Sequence, residues 1–371
     1  MNFGAGEDMG RPAKITIHLD ALQHNLVQIK KFAPRSNILA MVKSNAYGHG
    51  LERIALALPE VDAFGVACIE EGLALRQAGI QKPIVLMEGL FTENELQSAY
   101  DKDFSLVIHH AAQADMLLKN PPNRPLSIWL KINTGMNRLG FCPSAFKKAY
   151  DDLTQLAHIK KPLCLMTHFA ESDLLHSEAT SKQIKKFNKT VENFSGLKSL
   201  CNSAGIIAWP SAHQDWVRPG IMLYGISPFV GHRGVEHHLR PVMSLSSALI
   251  AIQKVSKGER VGYGGTWQCP EDMTIGVVGI GYGDGYPQFA KTATPVLVNK
   301  HPCPLIGKVS MDMLTVDLRT QPQAKIGDPV LLWGPGLPVE VVAESNNTSA
   351  YELVTRMMQR VPVGVVGLKS C

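Results

Sequence analysis

At 371 residues the chain can hold two or three domains, or one barrel of about 250 residues with a second unit beside it. Apolar residues make up 45% and charged residues 19% with no low-complexity tract, which excludes a disordered chain and leaves material for a sizeable core. The net charge of +5 is scattered, and short clusters such as Lys182, Lys185 and Lys186 read as a solvated helix face, so no nucleic-acid partner is expected.

No uncharged apolar run reaches about 18 residues, and the opening MNFGAGEDMGRPAK carries two acids and no apolar centre. Neither secretion nor a membrane partner is therefore expected. Seven cysteines, at 68, 142, 164, 201, 269, 303 and 371, form no CxxC pair and no metal-ligand spacing. That pattern suggests reduced thiols in a cytoplasmic chain and no bound metal.

In chain order, residues 1–13 form an N-terminal segment expected to pack with the C-terminal part. Residues 14–19, KITIHL, alternate like a strand, and Asp20 is a plausible N-cap for a helix with Leu22, Leu26, Ile29 and Ala33 on one stripe. From Ile38 strand-like and helix-like stretches alternate, the pattern of βα units around a parallel sheet. Strand candidates are 38–43, 63–67, 83–88, 104–109, 126–133, 162–169, 198–203 and 215–219, and eight is the number that closes a TIM-type (β/α)8 barrel. Helices are expected over 69–77, with Glu70 and Glu71 in the first turn and Gly79 past the end, and over 177–194. A doubly wound sheet would usually carry GxGxxG after its first strand, and none is present there.

After Gly225 the stretch PFVGHRGVEHHLRP reads as a linker, which places a barrel at 14–238 and a mainly-β C-terminal domain at 239–371. There the β-rich runs are 242–255, 274–281, 295–298, 305–318 and 329–333, with one late helix over about 349–360.

The chemistry centres on AMVKSNAYGHG, residues 40–50. Lys43 leaves a short apolar run that reads as a strand buried on both faces, and low-dielectric surroundings favour the neutral amine that Schiff-base chemistry needs. Active sites of such barrels lie at the C-terminal strand ends. His168 in THFA, Asn202 and Ser203, and Arg218 in WVRPGIMLYG stand at the ends of the sixth, seventh and eighth candidates. A phosphate site is expected in the last two units, from the Ser203 hydroxyl and the N–H groups of Ser203, Gly220 and Ile221. Gly220 would allow close backbone approach, or simply make a turn after Pro219.

VKSNAYGHG resembles the cofactor-binding lysine motif of the alanine racemases, and further matches follow in the same order through most of the chain. The resemblance implies a fold of barrel plus β domain, pyridoxal 5′-phosphate (PLP) as cofactor, alanine as substrate, and D-alanine supplied for cell-wall peptidoglycan. It implies Lys43 as cofactor anchor and first base, and Tyr263, in VGYGGTW, as second base. Tyr47 and Tyr351 would be further phosphate donors. Arg218 would face the pyridine nitrogen, where many other PLP enzymes place a carboxylate. Arg138, in KINTGMNRLG, would contact cofactor and substrate carboxylate, and Lys131 matches a lysine that is often carbamylated. Met311 and Asp312, in KVSMDM, would touch substrate, and Tyr282, in GYGDGYP, would line the entryway. A cationic relay through His168 and Arg218 would stabilise the Tyr263 phenolate.

Three positions depart from the family pattern. Asn137 stands where Gly or His is usual, and Gln288 and Lys308 stand in the entryway where Arg is common. A homodimer with shared active sites is also implied. Alternatives are a broader amino-acid racemase of the same fold, a more distant PLP-dependent decarboxylase, and a noncatalytic PLP-binding protein. The last would not need Tyr263 and Asp312.

Overall fold

The computed structural model describes residues 10–121 and 124–367. The chain divides into two compact units, one from Ala21 to Arg240 and one joining the segment up to Asp20 with the chain from Pro241 onward. Within residues 1–13, only 10–13 are described, and Cys371 also lies outside the described residues. The other six cysteines are free thiols.

The first strand, β1 (Lys14–His18), belongs to the second unit, although the sequence placed it at the front of the barrel. It pairs antiparallel with β10 (Met243–Val255) and parallel with β18 (Val363–Val366). Its alternating burial suits a strand with one covered face, whereas five of the eight barrel strands are buried at every residue. A helix over Leu19–Phe32 leads from it into the barrel unit. Asp20 is the second residue of that helix rather than its cap, and in the first turn its charge still favours the helix N-terminus.

The expected barrel is present, closed by eight parallel strands: β2 (Asn37–Met41), β3 (Ala63–Val66), β4 (Ile84–Leu86), β5 (Phe104–Ile108), β6 (Ile128–Lys131), β7 (Cys164–Met166), β8 (Leu197–Ser199) and β9 (Trp216–Val217). The pairing of β9 with β2 closes the ring. Its interior is packed side chain, built from Leu39, Met41, Ala63, Val85, Val107, Trp129, Cys164 and Met166. The helix expected over 69–77 runs Ile69–Gln77, and the long one over 177–194 runs Ala179–Val191.

In the second unit β10 is followed by β11 (Arg260–Val261), β12 (Trp267–Gln268), β13 (Met273–Val278), β14 (Pro295–Val298), β15 (His301–Ile306), β16 (Leu314–Asp317) and β17 (Pro329–Trp333). The main sheet runs β13-β16-β15-β14-β17-β10-β1-β18, and β10 also pairs with β13. A strand of 13 residues can serve three neighbours along its length. The β-rich run over 305–318 holds parts of two strands, because residues 307–313 leave the sheet as a loop between β15 and β16. The late helix is shorter than expected, Ala350–Thr355, and an unanticipated helix, Val339–Ser345, precedes it.

Candidate active site

All eight barrel strands run parallel, so the residues that follow them share one mouth. Lys43 comes two residues after β2 and opens a turn of left-handed backbone: φ is 55° at Ser44, 53° at Asn45, and 52° at Ala46 and Tyr47. Glu71 pins this turn from the neighbouring helix, its carboxylate accepting from the Ser44 N–H at 2.6 Å and the Ala67 N–H at 2.8 Å. Asn45 Oδ1 accepts from the Leu51 N–H at 2.8 Å. His49, fully buried, follows the turn, and its Nδ1 lies 2.8 Å from the Tyr47 carbonyl. Tyr224 packs against both rings, at 4.9 Å from Tyr47 and 4.5 Å from His49.

Arg218 follows β9 and is buried. Its Nη1 donates to Ser199 Oγ at 2.6 Å, and its Nη2 donates to the carbonyls of Thr167 at 2.6 Å and Leu200 at 3.0 Å. Among the described residues its Nε–H has no acceptor, leaving a buried cation with a donor unspent. Burial draws its pKa down to about 10, still a cation at neutral pH. His168 Nδ1 lies 3.4 Å from Nη2. Burial first, then Arg218, Lys131, Arg138 and Lys43, hold His168 well below the usual histidine range, so its ring is neutral.

Lys131 is the last residue of β6 and is buried. Burial, followed by the charges of Arg218, Arg138 and Lys43, lowers its pKa to about 8, while Glu88 opposes the shift. Arg138 is exposed on the loop after β6. That loop is shaped by Asn133, whose Oδ1 accepts from the N–H groups of Gly135 at 3.1 Å and Asn137 at 3.0 Å. Asn133 Nδ2 also donates to Asn137 Oδ1 at 3.1 Å, and Asn137 has φ 56°.

After β8, Asn202 caps the helix Ser203–Ala208, its Oδ1 accepting from the Gly205 N–H at 2.9 Å and the Ser172 hydroxyl at 2.8 Å. Its carboxamide oxygen is thus committed to the fold. Ser203 Oγ accepts from the Gly220 N–H at 2.9 Å and the Met222 N–H at 3.4 Å, joining the last two units. The N–H groups of Ser203 and Ile221 have no acceptor among the described residues. A Cβ added at Gly220 would lie 2.5 Å from Tyr47 Oη, so the glycine is needed for the approach of that phenol. Burial pushes the Tyr47 pKa up to about 12 and keeps it a neutral donor.

The remaining candidates lie in the second unit. Tyr263, Tyr282, Gln288, Lys308 and Met311 line one cavity of about 700 Å³, together with Phe289. Tyr263 is 72% exposed and Met311 53%. Asp312 is next to the cavity lining, its carboxylate 2.6 Å from Arg360 Nη2. Tyr351 stands apart from this lining, on the helix Ala350–Thr355.

Several residues support the site in ways their sequence context does not signal. Gln183 is buried, donating to Thr134 Oγ1 at 3.1 Å and the His168 carbonyl at 2.9 Å and accepting from the Ala170 N–H at 2.9 Å. Thr134 and Thr167 hydroxyls meet at 2.7 Å. Ser199 and Glu71 complete the set. Each has an ordinary role in its own element, and only the assembled barrel brings them to the site.

Two domain families match the chain: alanine racemase, N-terminal domain, over residues 17–228, and alanine racemase, C-terminal domain, over residues 242–365. Similar proteins include an alanine racemase of Coxiella burnetii, 52% identical over 94% of this chain and 97% of its own length. A biosynthetic alanine racemase of Escherichia coli is 47% identical over 95% and 99%. Among solved structures, the biosynthetic alanine racemase of Pseudomonas aeruginosa superposes with TM-score 0.94 at 41% identity, covering 96% of this chain and 100% of that one. The enzyme from Acinetobacter baumannii gives 0.91 at 40%, with 96% and 100% covered. A barrel mouth ringed by Lys43, Lys131, His168, Ser203 and Arg218 accompanies matches to both domain families across nearly the whole length, and the chain belongs to the alanine racemase family.

Proposed function

We propose that the chain interconverts L-alanine and D-alanine with PLP as cofactor and two bases, as a homodimer, supplying D-alanine for cell-wall peptidoglycan. The observation that carries the reading is the barrel mouth, where a strand-end lysine, a buried arginine with an unspent Nε–H and a set of N–H and O–H donors at Ser203, Ile221 and Tyr47 lie at neighbouring strand ends.

These residues fit PLP on their own chemistry. The phosphate would be held by Ser203 Oγ, the unspent N–H groups of Ser203 and Ile221, and the neutral Tyr47 phenol beside Gly220. Arg218 has donors only, so it would hold a pyridine nitrogen in its unprotonated form. That disfavours decarboxylation, for which a protonated ring is the better electron sink. Lys43 would supply the covalent attachment. When bound, PLP draws electrons away from the Cα of an attached amino acid and makes its proton removable.

The chain's own groups then move that proton. Lys43 Nζ, freed when the substrate's amino group takes its place, would take it from one face of Cα, and Tyr263 Oη would deliver another from the opposite face; for the other enantiomer the roles reverse. Arg138 would orient the substrate carboxylate, and Lys131 is a candidate for carbamylation, since a lysine with pKa about 8 has a reactive neutral fraction near neutrality. The exposure of Tyr263 and Met311 supports a second copy completing each site, with Tyr263 and the Met311–Asp312 loop brought to the partner's barrel. Gln288 and Lys308 would make an entry corridor with one positive charge and two guanidinium forks fewer. The free thiols support a cytoplasmic location.

Lys43→Ala tests the reading. It should abolish borohydride-reducible attachment of PLP to the protein and racemisation in both directions, followed by chiral chromatography. Retained covalent attachment at Lys43→Ala would mean that another lysine is the anchor. A wild-type protein that racemises a panel of L-amino acids as well as alanine would assign it to a broader racemase.

A further inference from the structure

Tyr282 and the Met311–Asp312 loop lie on different connections of the second unit, and a buried carboxylate joins them. Asp284 is fully buried. Its Oδ1 accepts from Arg11 Nη1 at 2.7 Å and Arg360 Nε at 2.8 Å, and its Oδ2 accepts from Arg11 Nη2 at 2.9 Å and the Gly281 N–H at 2.9 Å. The same two guanidiniums also reach the other connection. Arg360 Nη2 donates to Asp312 Oδ1 at 2.6 Å, and Arg11 Nη2 donates to the Asp312 carbonyl at 3.0 Å.

The backbones are locked as well. The Tyr282 N–H donates to the Ser310 carbonyl at 3.0 Å and the Gly283 N–H to the Met311 carbonyl at 2.8 Å. A Cβ at Gly281 would lie 2.2 Å from the Ser310 oxygen, and one at Gly283 would lie 2.7 Å from Arg360 Nη2. GYGDG is therefore glycine-rich because the loop and an arginine lie against it. Two arginines balance two aspartates, so the cluster holds its geometry without net charge. The N–H groups of Met311 and Asp312 have no acceptor among the described residues, and the clamped loop presents them as donors.

We propose that Arg11 and Arg360, gripping Asp284, are positioning residues that fix the Met311–Asp312 loop for the substrate. The proposal rests on the reading above that this loop meets the substrate. It assigns Asp312's carboxylate to the clamp and leaves substrate contact to the loop's main chain and the Met311 side chain. Arg11 precedes β1 and Arg360 lies shortly before β18, so segments from the two ends of the described chain converge on this loop.

The test uses the holoenzyme and separates KM from kcat. Arg11→Gln and Arg360→Gln should raise KM for both alanine enantiomers about tenfold, while PLP absorbance and cofactor stoichiometry stay as in the wild type. Arg360→Lys should recover part of the loss, since one ammonium can serve one carboxylate where the fork serves two. Circular dichroism and urea midpoints confirm that each variant is folded under assay. Lowered midpoints with KM unchanged would reduce the cluster to a stabilising ion pair and overturn the proposal. Met311→Gly and Asp312→Ala distinguish the two levels of failure. If Met311→Gly raises KM while the arginine variants do not, the loop meets substrate but is not positioned by the clamp. If none of these variants alters KM, the loop is not at the substrate and the proposal falls with that reading.

Discussion

Asn137 offers a clean test of how the Arg138 loop is held. Its φ of 56° is in the left-handed region, where a residue with a Cβ costs roughly 1–2 kcal/mol and Asn pays less than most because its short polar side chain bonds locally. Here that bond is the 3.1 Å contact from Asn133 Nδ2, exposed and worth about 0.5 kcal/mol. Asn137→Ala loses the bond and takes the full backbone penalty, about 1.5 kcal/mol together. Asn137→Gly loses the same bond and is relieved of the penalty, so its net change stays within about 0.5 kcal/mol. If Arg138 must be presented by this loop conformation, kcat/KM should fall about tenfold in Asn137→Ala and about twofold in Asn137→Gly. Urea midpoints and steady-state kinetics on both variants measure it. Equal behaviour of Ala and Gly would show that φ at 137 does not set the position of Arg138.

Three further outcomes are expected. Gly220→Ala would set a methyl 2.5 Å from Tyr47 Oη, and equilibrium dialysis should show PLP affinity reduced at least about tenfold; unchanged affinity would remove the Tyr47–Gly220 contact from the phosphate site. His49, fully buried, has its pKa lowered from 6.5 to about 4 by burial, against the Tyr47 and Ala46 carbonyls, which raise it. The unfolded chain therefore takes up this proton first, so the contribution is fully present above 6.5 and is lost as pH falls from about 6.5 to 4, by roughly 3 kcal/mol; other histidines share the direction, so the check is a shallower urea-stability slope in His49→Gln than in the wild type. Mixing Lys43→Ala with Tyr263→Phe subunits, once chain exchange is verified, should make about half the dimers mixed with one intact site each and restore roughly a quarter of wild-type activity; no recovery after full exchange would place Tyr263 over its own chain's Lys43.

The barrel was legible because strands buried on both faces read as short apolar runs, and most units of this parallel barrel carry one; β8, reading LKS with only Ser199 buried, does not. The position of Lys43, His168, Ser203 and Arg218 at strand ends followed from the same runs. What could not be read was membership: KITIH has the alternation of a one-faced strand, yet nothing local says whether it starts a barrel or joins a sheet whose other strands lie more than 200 residues away. The 305–318 run concealed a loop for a related reason, since Val309, Met311 and Met313 are apolar enough to continue a strand pattern while the backbone has left the sheet. Asn202 shows in the sequence only as a polar residue at a strand end, and in the fold its oxygen caps a helix. Glu71 shows in the sequence as a first-turn acid. Only a distance across the fold reveals its grip on the Ser44 N–H.

The backbone after Lys43 ties these observations to chemistry. Ser44, Asn45, Ala46 and Tyr47 are consecutive left-handed residues without a glycine among them, an arrangement costing on the order of 4–8 kcal/mol at 1–2 kcal/mol each. Offsetting bonds surround it: Ala46 N–H to the Val42 carbonyl, Gly48 N–H to Ser44, Gly50 N–H to Asn45, and the side chains of Glu71, Asn45 and His49 already described. Glycine would adopt this turn at less strain, but would leave it free to take many others. Residues with side chains confine the segment once the bonds are made, and both ends of the turn matter. Lys43 opens it, and Tyr47 closes it with a phenol against Gly220. One strained turn thus sets the spacing between the amine and the phenol, and the sites proposed for covalent attachment and for the phosphate move only together.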